Sequence, residues 1–323
     1  MKLNQKNFIN NLNKHITFEN KPIVTVAVSG GPDSMALLFL MKEWIKKVDG
    51  KLIALIVNHN IRKESLIEAN AICNFLTINK IKCKILTVKK KKVQKKNMSE
   101  SRSNRYDLLL NYCKKNNLIY LFIAHHQDDN IETYINRRVA GSDFEGLGSM
   151  DFISKKNNFI LVRPLLNFSK NDILNYNTTK NIPFIQDPTN LNLNYTRSII
   201  RHSIKNLNKK TFDEIKSDFK NIKSNMALYK IMISQILLKN IISVNKNYIE
   251  INLVKFKKFD DLILEKLIKK IYIFFYNELR FLRSSKTQNL INQIKSKKFK
   301  VFNLKGMLIK KVDNSLFFSK ISN

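Results

Sequence analysis

The chain has 323 residues and a formal net charge of +33 at pH 7, and 44% of its residues are hydrophobic. This length predicts about two domains, and every apolar run is too short for a membrane-spanning helix. The 3 cysteines form no CxxC pair, so we expect a reduced, cytoplasmic protein without a disulfide or zinc framework. The N-terminal segment lacks the apolar stretch of a signal peptide.

The excess of positive charge predicts a polyanionic partner, for which nucleic acid is the first candidate. Biased composition is the alternative explanation, because lysine, asparagine and isoleucine are frequent throughout the chain. A basic run at 89–96 allows two interpretations, an RNA contact or a solvated loop. Binding to a membrane surface is less well supported, since no long helix with a clean basic face stands out.

Apolar runs of strand length alternate with segments of helical periodicity in the first part of the chain. The predicted strands are 22–28, 51–59, 82–88 and 118–126, and the predicted helices are 33–47, 66–79, 98–116 and 127–140. This alternation predicts an α/β domain with a mostly parallel sheet. Ligands of such sheets bind beyond the carboxyl ends of the strands, so the residues that follow the strands are the first candidates for a site.

The pattern changes in the second part of the chain, where 207–243 and 259–296 become mainly helical. The final segment alternates like two or three short strands around Gly306 and a later Asp-Asn pair. We therefore predict an α/β domain over 1–208, followed by a smaller, basic, mainly helical domain over 209–323 that ends in short strands.

Two adjacent glycines, Gly30 and Gly31, follow the first predicted strand in the stretch SGGPDS, although the chain has only 7 glycines. Glycine permits positive φ and lets a ligand approach the backbone closely. Pro32 suits the first turn of the following helix, whose free N–H groups can bind an anion. The stretch therefore predicts a phosphate-binding loop, in which Asp33 either caps the helix or meets the phosphate through Mg²⁺.

A second polar stretch, IAHHQDDNIETYINRR, begins at the end of the fourth predicted strand. On the following helix Asp128 and Glu132 lie one turn apart on one face, with Asp129 on the neighbouring face. Converging carboxylates could hold Mg²⁺ or an ammonium group. Alternatively, an aspartate caps the helix, and His125 and His126 are surface residues. Zinc is not favoured, because no third histidine or cysteine has suitable spacing.

The stretch SGGPDS resembles the PP-loop, SGGxDS, of the N-type ATP pyrophosphatases, and it lacks the lysine of the GxxxxGK[ST] loop. Further segments resemble the tRNA(Ile)-lysidine synthetases, in order along the chain. They are IVNHNIRKESLIEA at 56–69, SESRSNRYDLL at 99–109, AHHQDDNIET at 124–133, AGSDFEGLGSM at 140–150, and VRPLL at 162–166 followed by IQDPTN and YTRSIIRHSI. Departures from the family pattern fall at Asn130, Ala140, Asp143 and Phe184.

The resemblance implies a reaction in which ATP activates C2 of the wobble cytidine of tRNA(Ile) with a CAU anticodon, before free L-lysine displaces AMP. The residues implied to bind ATP are Ser29, Gly30, Gly31, Pro32, Asp33, Ser34, His59 and His125. The implied catalytic residues are Asp33, Asp128, Asp129, Glu132, Arg102 and Arg105, and the implied Mg²⁺ ligands are Asp33 and Asp129. Arg197 and Arg201 are candidates for contacts to the RNA backbone, the second domain is expected to bind tRNA, and a homodimer is left open.

The nearest alternative enzyme is a tRNA 2-thiolase with the same loop. Many such relatives use a cysteine pair for sulfur or for an iron–sulfur cluster, and the spacing of Cys73, Cys83 and Cys113 provides none. A small-molecule amidating ligase would share the loop but would not need the positive charge. A non-catalytic RNA-binding protein with this fold would not need the carboxylates.

Overall fold

The computed structural model describes residues 2–60, 64–88, 98–156, 159–185, 196–276, 282, 284–296 and 298–321. The chain divides into two compact units, Met1–Ile222 and Lys223–Asn323. The division falls inside the helix Lys209–Asn240, which begins directly after the predicted boundary at residue 208. The basic run at 89–96 lies outside the described residues.

The first unit is built on a six-stranded sheet, in the order β3-β2-β1-β4-β6-β5. Its strands are β1 Ile23–Val28, β2 Lys51–Asn58, β3 Lys82–Thr87, β4 Tyr120–Phe122, β5 Ile153–Lys156 and β6 Phe159–Val162. The neighbouring strands β3, β2, β1, β4 and β6 pair in parallel, in that spatial order. β5 pairs antiparallel with β6 at the edge of the sheet. The predicted α/β class with a mainly parallel sheet is confirmed. The β5–β6 hairpin was not predicted, and β4 is shorter than the predicted strand.

Nine helices belong to the described part of this unit or begin in it. They are α1 Gln5–Asn13, α2 Pro32–Lys47, α3 Glu64–Ile78, α4 Met98–Lys115, α5 Gln127–Val139, α6 Phe144–Leu147, α7 Lys170–Thr179, α8 Thr196–Lys205 and α9 Lys209–Asn240. Several start at a side chain that caps them: Ser169 accepts from the N–H of Asp172 at α7, and Asp143 accepts from the N–H of Gly146 at α6. None of the described helices of the chain combines the length and the apolar character that crossing a bilayer requires.

Apolar side chains pack on both faces of the sheet. Val26 of β1 and Leu37 of α2 are fully buried in a core that covers the face against α1, α2, α3 and α7. Leu109 of α4 and Leu121 of β4 are buried in a second core on the opposite face. Each such side chain stabilises the fold by about 1.5–3 kcal/mol relative to exposure. The unit is therefore a sheet between two layers of helices.

The strand order reverses at β1, and this reversal positions the site. The chain moves from β1 to β2 and β3 on one side and then returns to place β4 on the other side of β1. The carboxyl ends of β1 and β4 therefore border a crevice of the kind in which α/β proteins bind ligands. The stretch SGGPDS follows β1, and His125 and His126 follow β4.

The second unit contains a five-stranded antiparallel sheet in the order β7-β8-β11-β10-β9. Its elements are β7 Ile241–Val244, β8 Tyr248–Asn252, α10 Leu253–Phe256, α11 Asp261–Tyr276, α12 Ser284–Lys295, β9 Val301–Leu304, β10 Met307–Val312 and β11 Ser315–Lys320. The predicted short strands turn at Gly306 and Asp313, which both have positive φ. The helix predicted to reach residue 243 ends at Asn240 instead, because the β-branched residues that follow pair with β8.

Candidate functional site

Gly30 adopts a φ of +81° in the turn that joins β1 to α2. A Cβ atom added at Gly30 would lie 2.5 Å from Cδ1 of Ile72 on α3, which is a distance at which atoms must move. The carbonyl of Gly30 also accepts a hydrogen bond from the backbone N–H of Ile185, at 2.9 Å. This position requires glycine for two reasons, the positive φ and the close approach of Ile72.

Replacing Gly30 by alanine is expected to lower the free energy of unfolding by more than the matched change Gly141→Ala. Gly141 also has a positive φ, +66°, but nothing lies within 4 Å of an added Cβ. The positive φ costs about 1–2 kcal/mol at either position, and the contact with Ile72 adds about 1 kcal/mol at Gly30. Urea unfolding followed by circular dichroism gives both values, and equal losses would show that Ile72 moves aside freely.

Ser29 and Ser34 face each other across the same loop, with their Oγ atoms 3.2 Å apart. The hydroxyl of Ser34 donates to the carbonyl of Gly31 at 3.0 Å and accepts from the N–H of Ser29 at 3.2 Å. Pro32 starts α2 directly after Gly31, so the positive end of the helix dipole lies at this loop. Glycines, hydroxyls and a helix N-terminus are the features of an anion-binding loop, and we use that name for the stretch SGGPDS.

Lys170, at the start of α7, connects this loop to α5. Its Nζ lies 2.5 Å from Oδ1 of Asp33, and its backbone N–H donates to Oδ2 of Asp128 at 2.6 Å. Further along α7, the side chain of Asn177 donates to the carbonyl of Pro32. The sequence analysis did not identify Lys170 as a site residue. It noted only that the stretch SGGPDS has no lysine of its own. The structure supplies a lysine from a helix distant in sequence.

His126 lies at the centre of the acidic cluster, which we define as Asp33, Asp128, Asp129 and Glu132. The residue is buried, with 5% of its surface exposed. Its Nε2 is 3.9 Å from Oδ2 of Asp33 and 3.5 Å from Oδ2 of Asp129, and its Nδ1 is 3.5 Å from Oδ2 of Asp128. The interpretation of His126 as a surface residue is therefore wrong. β4 ends at Phe122 and not at residue 126 as predicted, and His126 lies in extended backbone at the start of α5, with its side chain among the carboxylates.

The charges of this cluster change the pKa values of its members. Burial lowers the pKa of His126, but Asp128, Asp129 and Asp33 outweigh burial and raise it overall. Burial raises the pKa of Asp128 and Asp129, whereas hydrogen bonds and the charge of His126 lower both overall. The carboxylates therefore favour the charged form of His126, and His126 in turn favours the charged forms of Asp128 and Asp129.

Arg201 of α8 binds two members of the acidic cluster. Its Nε donates to Oε1 of Glu132 at 2.6 Å, and its Nη2 lies 3.3 Å from Oδ1 of Asp129. Glu132 is 7% exposed, and burial together with the charge of Asp129 raises its pKa despite Arg201. Asp129 and Glu132 thus share one cation. The structure places Arg201, considered as an RNA contact, against these carboxylates, and the side chain of Arg197 lies outside the described residues.

Three other predicted site residues, His59, Arg102 and Arg105, interact electrostatically around His125 or with one another. The pKa of His125 is lowered to about 3, mainly by burial; the charge of Asp129 opposes this shift, and the charges of Arg163, Arg102 and Arg105 contribute to it. His59, which follows β2, also has a lowered pKa, through burial and the charge of Arg105. The crevice therefore has an acidic side at His126 and a basic side at His125.

Two departures from the family pattern have local structural roles. Asn130 is buried, and its side chain both donates to and accepts from the backbone of Met150, which joins α5 to the loop after α6. Asp143 caps α6. Ala140 follows the last turn of α5, and Phe184 packs against the first core. None of these four side chains belongs to the acidic cluster.

Comparison with known proteins gives a consistent result. The model of the PP-loop domain, an ATP-binding domain, matches residues 3–208. The chain is similar to the tRNA(Ile)-lysidine synthase of Wolbachia pipientis wMel, with 40% identity over 61% of this chain and 46% of the relative. Proteins of the same name are 35% identical in Orientia tsutsugamushi (62% of this chain, 45% of the relative) and 29% identical in Rickettsia bellii (96% and 72%). The matched part thus spans less than half the length of the first two relatives.

Among solved structures, the U34-tRNA thiolase NcsA from Methanococcus maripaludis, with its 4Fe-4S cluster, has a similar fold. The TM-score is 0.57, with 20% identity over 68% of this chain and 78% of that chain. Identity at this level shows the shared fold alone.

Proposed function

Because the chain belongs to the PP-loop family, we propose that it is an ATP-dependent ligase that joins free L-lysine to C2 of the wobble cytidine of tRNA(Ile) with a CAU anticodon. The meeting of the anion-binding loop and the acidic cluster in one crevice, through Lys170 and His126, carries this proposal. Such a crevice can hold a triphosphate and an amine side by side. The names of the curated relatives support the same reaction.

In the first step, the oxygen on C2 of the cytidine attacks the α-phosphorus of ATP, and pyrophosphate leaves. The loop from Ser29 to Ser34 would hold the departing phosphates with its hydroxyls and with the N-terminus of α2. Lys170 adds a cation at the edge of the loop, where negative charge develops on the leaving group. The products of this step are the adenylated cytidine and pyrophosphate.

Mg²⁺ fits the residues present. Mg²⁺ is commonly held by one or two carboxylates together with substrate phosphates, and Asp33 and Asp129 both approach the same imidazole nitrogen of His126. Within the described residues no group of three or more His, Cys, Asp or Glu side chains could hold a metal ion by itself. We therefore infer that Asp33 and Asp129 would hold the ion jointly with ATP, where it would neutralise phosphate charge.

In the second step, the ε-amine of lysine attacks C2, and AMP leaves. Asp129 and Glu132 already bind one cation, the guanidinium of Arg201, so they suit an ammonium group of the lysine substrate. The ε-amine must lose a proton before it attacks. Glu132, whose pKa is raised by burial, is the better proton acceptor of the two carboxylates.

The second unit would contribute to binding of the tRNA backbone. Lys298, Lys300 and Lys311 line one concave surface together with Phe299 and Asp313. Burial lowers the pKa of Lys257, and the charge of Lys311 lowers it further, so Lys257 also lies near this lysine group. Clustered lysines bind phosphate groups without regard to sequence.

Incubation with ATP, radiolabelled lysine and an unmodified tRNA(Ile) transcript tests the function. We expect label to enter the RNA only when ATP is present, with release of pyrophosphate. A transcript with a different base at the wobble position is the matched control and is expected to remain unlabelled. Pyrophosphate release that needs a sulfur donor and ignores lysine would contradict the proposal and favour the 2-thiolase.

A variant without its three thiols also distinguishes the lysine ligase from the 2-thiolase. Cys113 is buried and lies 3.6 Å from Oγ1 of Thr25, and burial together with contact to Cys73 raises the pKa of Cys83. Such thiols are poor nucleophiles. The variant C73A/C83A/C113A is therefore expected to keep its lysine incorporation within about threefold, once unfolding assays confirm that it folds. Complete loss of activity in a folded variant would contradict this expectation.

A further inference from the structure

Three arginines of the first unit gather around one tyrosine. The guanidinium carbons of Arg102 and Arg105, both on α4, lie 5.9 and 5.6 Å from the centre of the Tyr106 ring. Arg163, directly after β6, also interacts with the phenol of Tyr106. We call Arg102, Arg105 and Arg163 the arginine cluster. It brings three positive charges to the basic side of the crevice.

Arg163 is the buried member of the cluster, and two hydrogen bonds hold its guanidinium in place. It is 9% exposed, and its Nη1 donates to the carbonyl of Asp151 at 2.9 Å and to Oγ of Ser154 at 2.8 Å. Its Nε is buried and has no hydrogen-bond partner among the residues that the structure describes. A buried N–H group without an acceptor is unfavourable, and a bound oxoanion would supply the missing acceptor.

None of its three members forms an ion pair with a carboxylate in the part of the chain that the structure describes, although the charge of Asp151 acts on Arg163 and opposes the lowering of its pKa. Burial lowers the pKa of Arg105 and of Arg163, and the charge of Arg102 lowers both further. Like charges packed together in a half-buried site repel one another unless an anion joins them. The acidic cluster differs, because Lys170 and Arg201 form ion pairs with three of its four carboxylates.

His125 adds a second polar atom that points to the same ligand. Within the described part of the chain its Nδ1 is buried without a hydrogen-bond partner, and all three arginines act on its ring. Arg102 and Arg105 are partly exposed, so a ligand can reach the cluster from solvent. Three guanidinium groups and an imidazole around one space suit an oxoanion, to which arginine donates bidentate hydrogen bonds.

We propose that the arginine cluster binds a backbone phosphate of the RNA substrate, next to the nucleotide that enters the crevice. This inference rests on the proposed function for the identity of the RNA. A splayed nucleotide brings its own phosphates with it, and contacts to phosphates fix its position and orientation. In the proposed function, the SGGPDS loop binds the phosphates of ATP, so the arginine cluster is assigned to a different phosphate. ATP phosphates and the carboxylate of lysine are also oxoanions. The experiment distinguishes these two ligands from a phosphate of the RNA.

The test compares the double variant Arg102→Gln/Arg105→Gln with Lys114→Gln, a matched loss of charge at the exposed far end of α4. Filter binding of an unmodified tRNA(Ile) transcript is measured over a salt series, and KM values for ATP and lysine are measured separately. We expect the double variant to bind RNA at least about 10-fold more weakly, with a salt slope lower by roughly 0.7–0.9 for each phosphate that the variant no longer neutralises. Both KM values and the Lys114→Gln variant should match the parent.

A second variant, Arg163→Lys, keeps the charge but removes the Nε donor, and thermal unfolding shows whether it folds. It should also weaken RNA binding. Unchanged RNA affinity in both variants, with an active parent, would overturn the phosphate pocket and leave the proposed function standing. A raised KM for ATP or for lysine, with RNA binding intact, would reassign the cluster to that substrate. A parent protein that does not bind the transcript at all would overturn the proposed function as well.

Discussion

Replacing Lys170 by methionine is expected to reduce the rate of pyrophosphate release by about 10²–10³-fold, the loss typical when one group that stabilises transition-state charge is removed. Methionine is similar in length to lysine and keeps the backbone N–H that donates to Asp128. The substitution therefore removes the cation 2.5 Å from Asp33 while leaving the link between α7 and α5 in place. Single-turnover release of pyrophosphate, with tRNA and ATP both saturating, measures the effect.

Two controls define the cause of that loss. Lys170→Arg keeps a positive charge and should retain a larger part of the rate. Lys180→Met removes an exposed lysine from the other end of α7 and should leave the rate unchanged. If Lys170→Met releases pyrophosphate at the rate of the parent, this cation has no role in the reaction. Lys170 would then serve only to hold Asp33 in place.

The alternating part of the fold could be predicted because its cause is local. Strand β1 and helix α2 start within one residue of their predicted positions, since a buried apolar run and a proline at the first helical turn are visible in the sequence. The loop between them could be predicted for the same reason. The convergence of this loop with the stretch after β4 followed from the general rule for strand ends in parallel sheets.

Lys170 could not be predicted, because its role depends on the packing of α7 against α2. The sequence shows only the capping pair Ser169 and Asp172, which marks the start of a helix but not the direction of the lysine beside it. Arg163 did carry a signal in the sequence, although it was not among the predicted site residues. A charged residue inside the run FILVRPLL is unusual for a buried segment and suggests a specific partner.

For Arg201 and His126, the sequence did not determine the direction in which the side chain points. Spacing on a helix places residues on a face but does not say which residue of a distant helix meets that face. From the sequence, Arg201 suited an RNA contact or a solvated position on a helix, and its contact with Glu132 depends on the packing of α8 beside α5. For His126, the outcome depended on where β4 ends, and the ends of elements are the least predictable part of a fold.

Replacing Glu132 by glutamine is expected to raise the KM for lysine by about 10–100-fold, because it removes one charged hydrogen-bond partner worth roughly 1.5–3 kcal/mol. Glu132 is buried and shares the guanidinium of Arg201 with Asp129, so the pair is already arranged to hold a single cation. Glutamine has nearly the same shape and keeps an acceptor oxygen. The variant therefore loses charge and proton-accepting capacity with little change in packing.

The two steps of the reaction should respond differently to this substitution. Adenylation of the RNA does not involve lysine, so pyrophosphate release in the absence of lysine should stay within about threefold of the parent, as expected when an interaction serves one step only. Glu214→Gln, at an exposed position of α9, is the matched control and should change neither step. If Glu132→Gln slows pyrophosphate release and leaves the KM for lysine unchanged, the carboxylate acts in adenylation, and the amine must bind elsewhere in the crevice. Because Arg201 occupies both carboxylates, a lower KM for lysine in Arg201→Gln would independently support the assignment of this pair to the ammonium group.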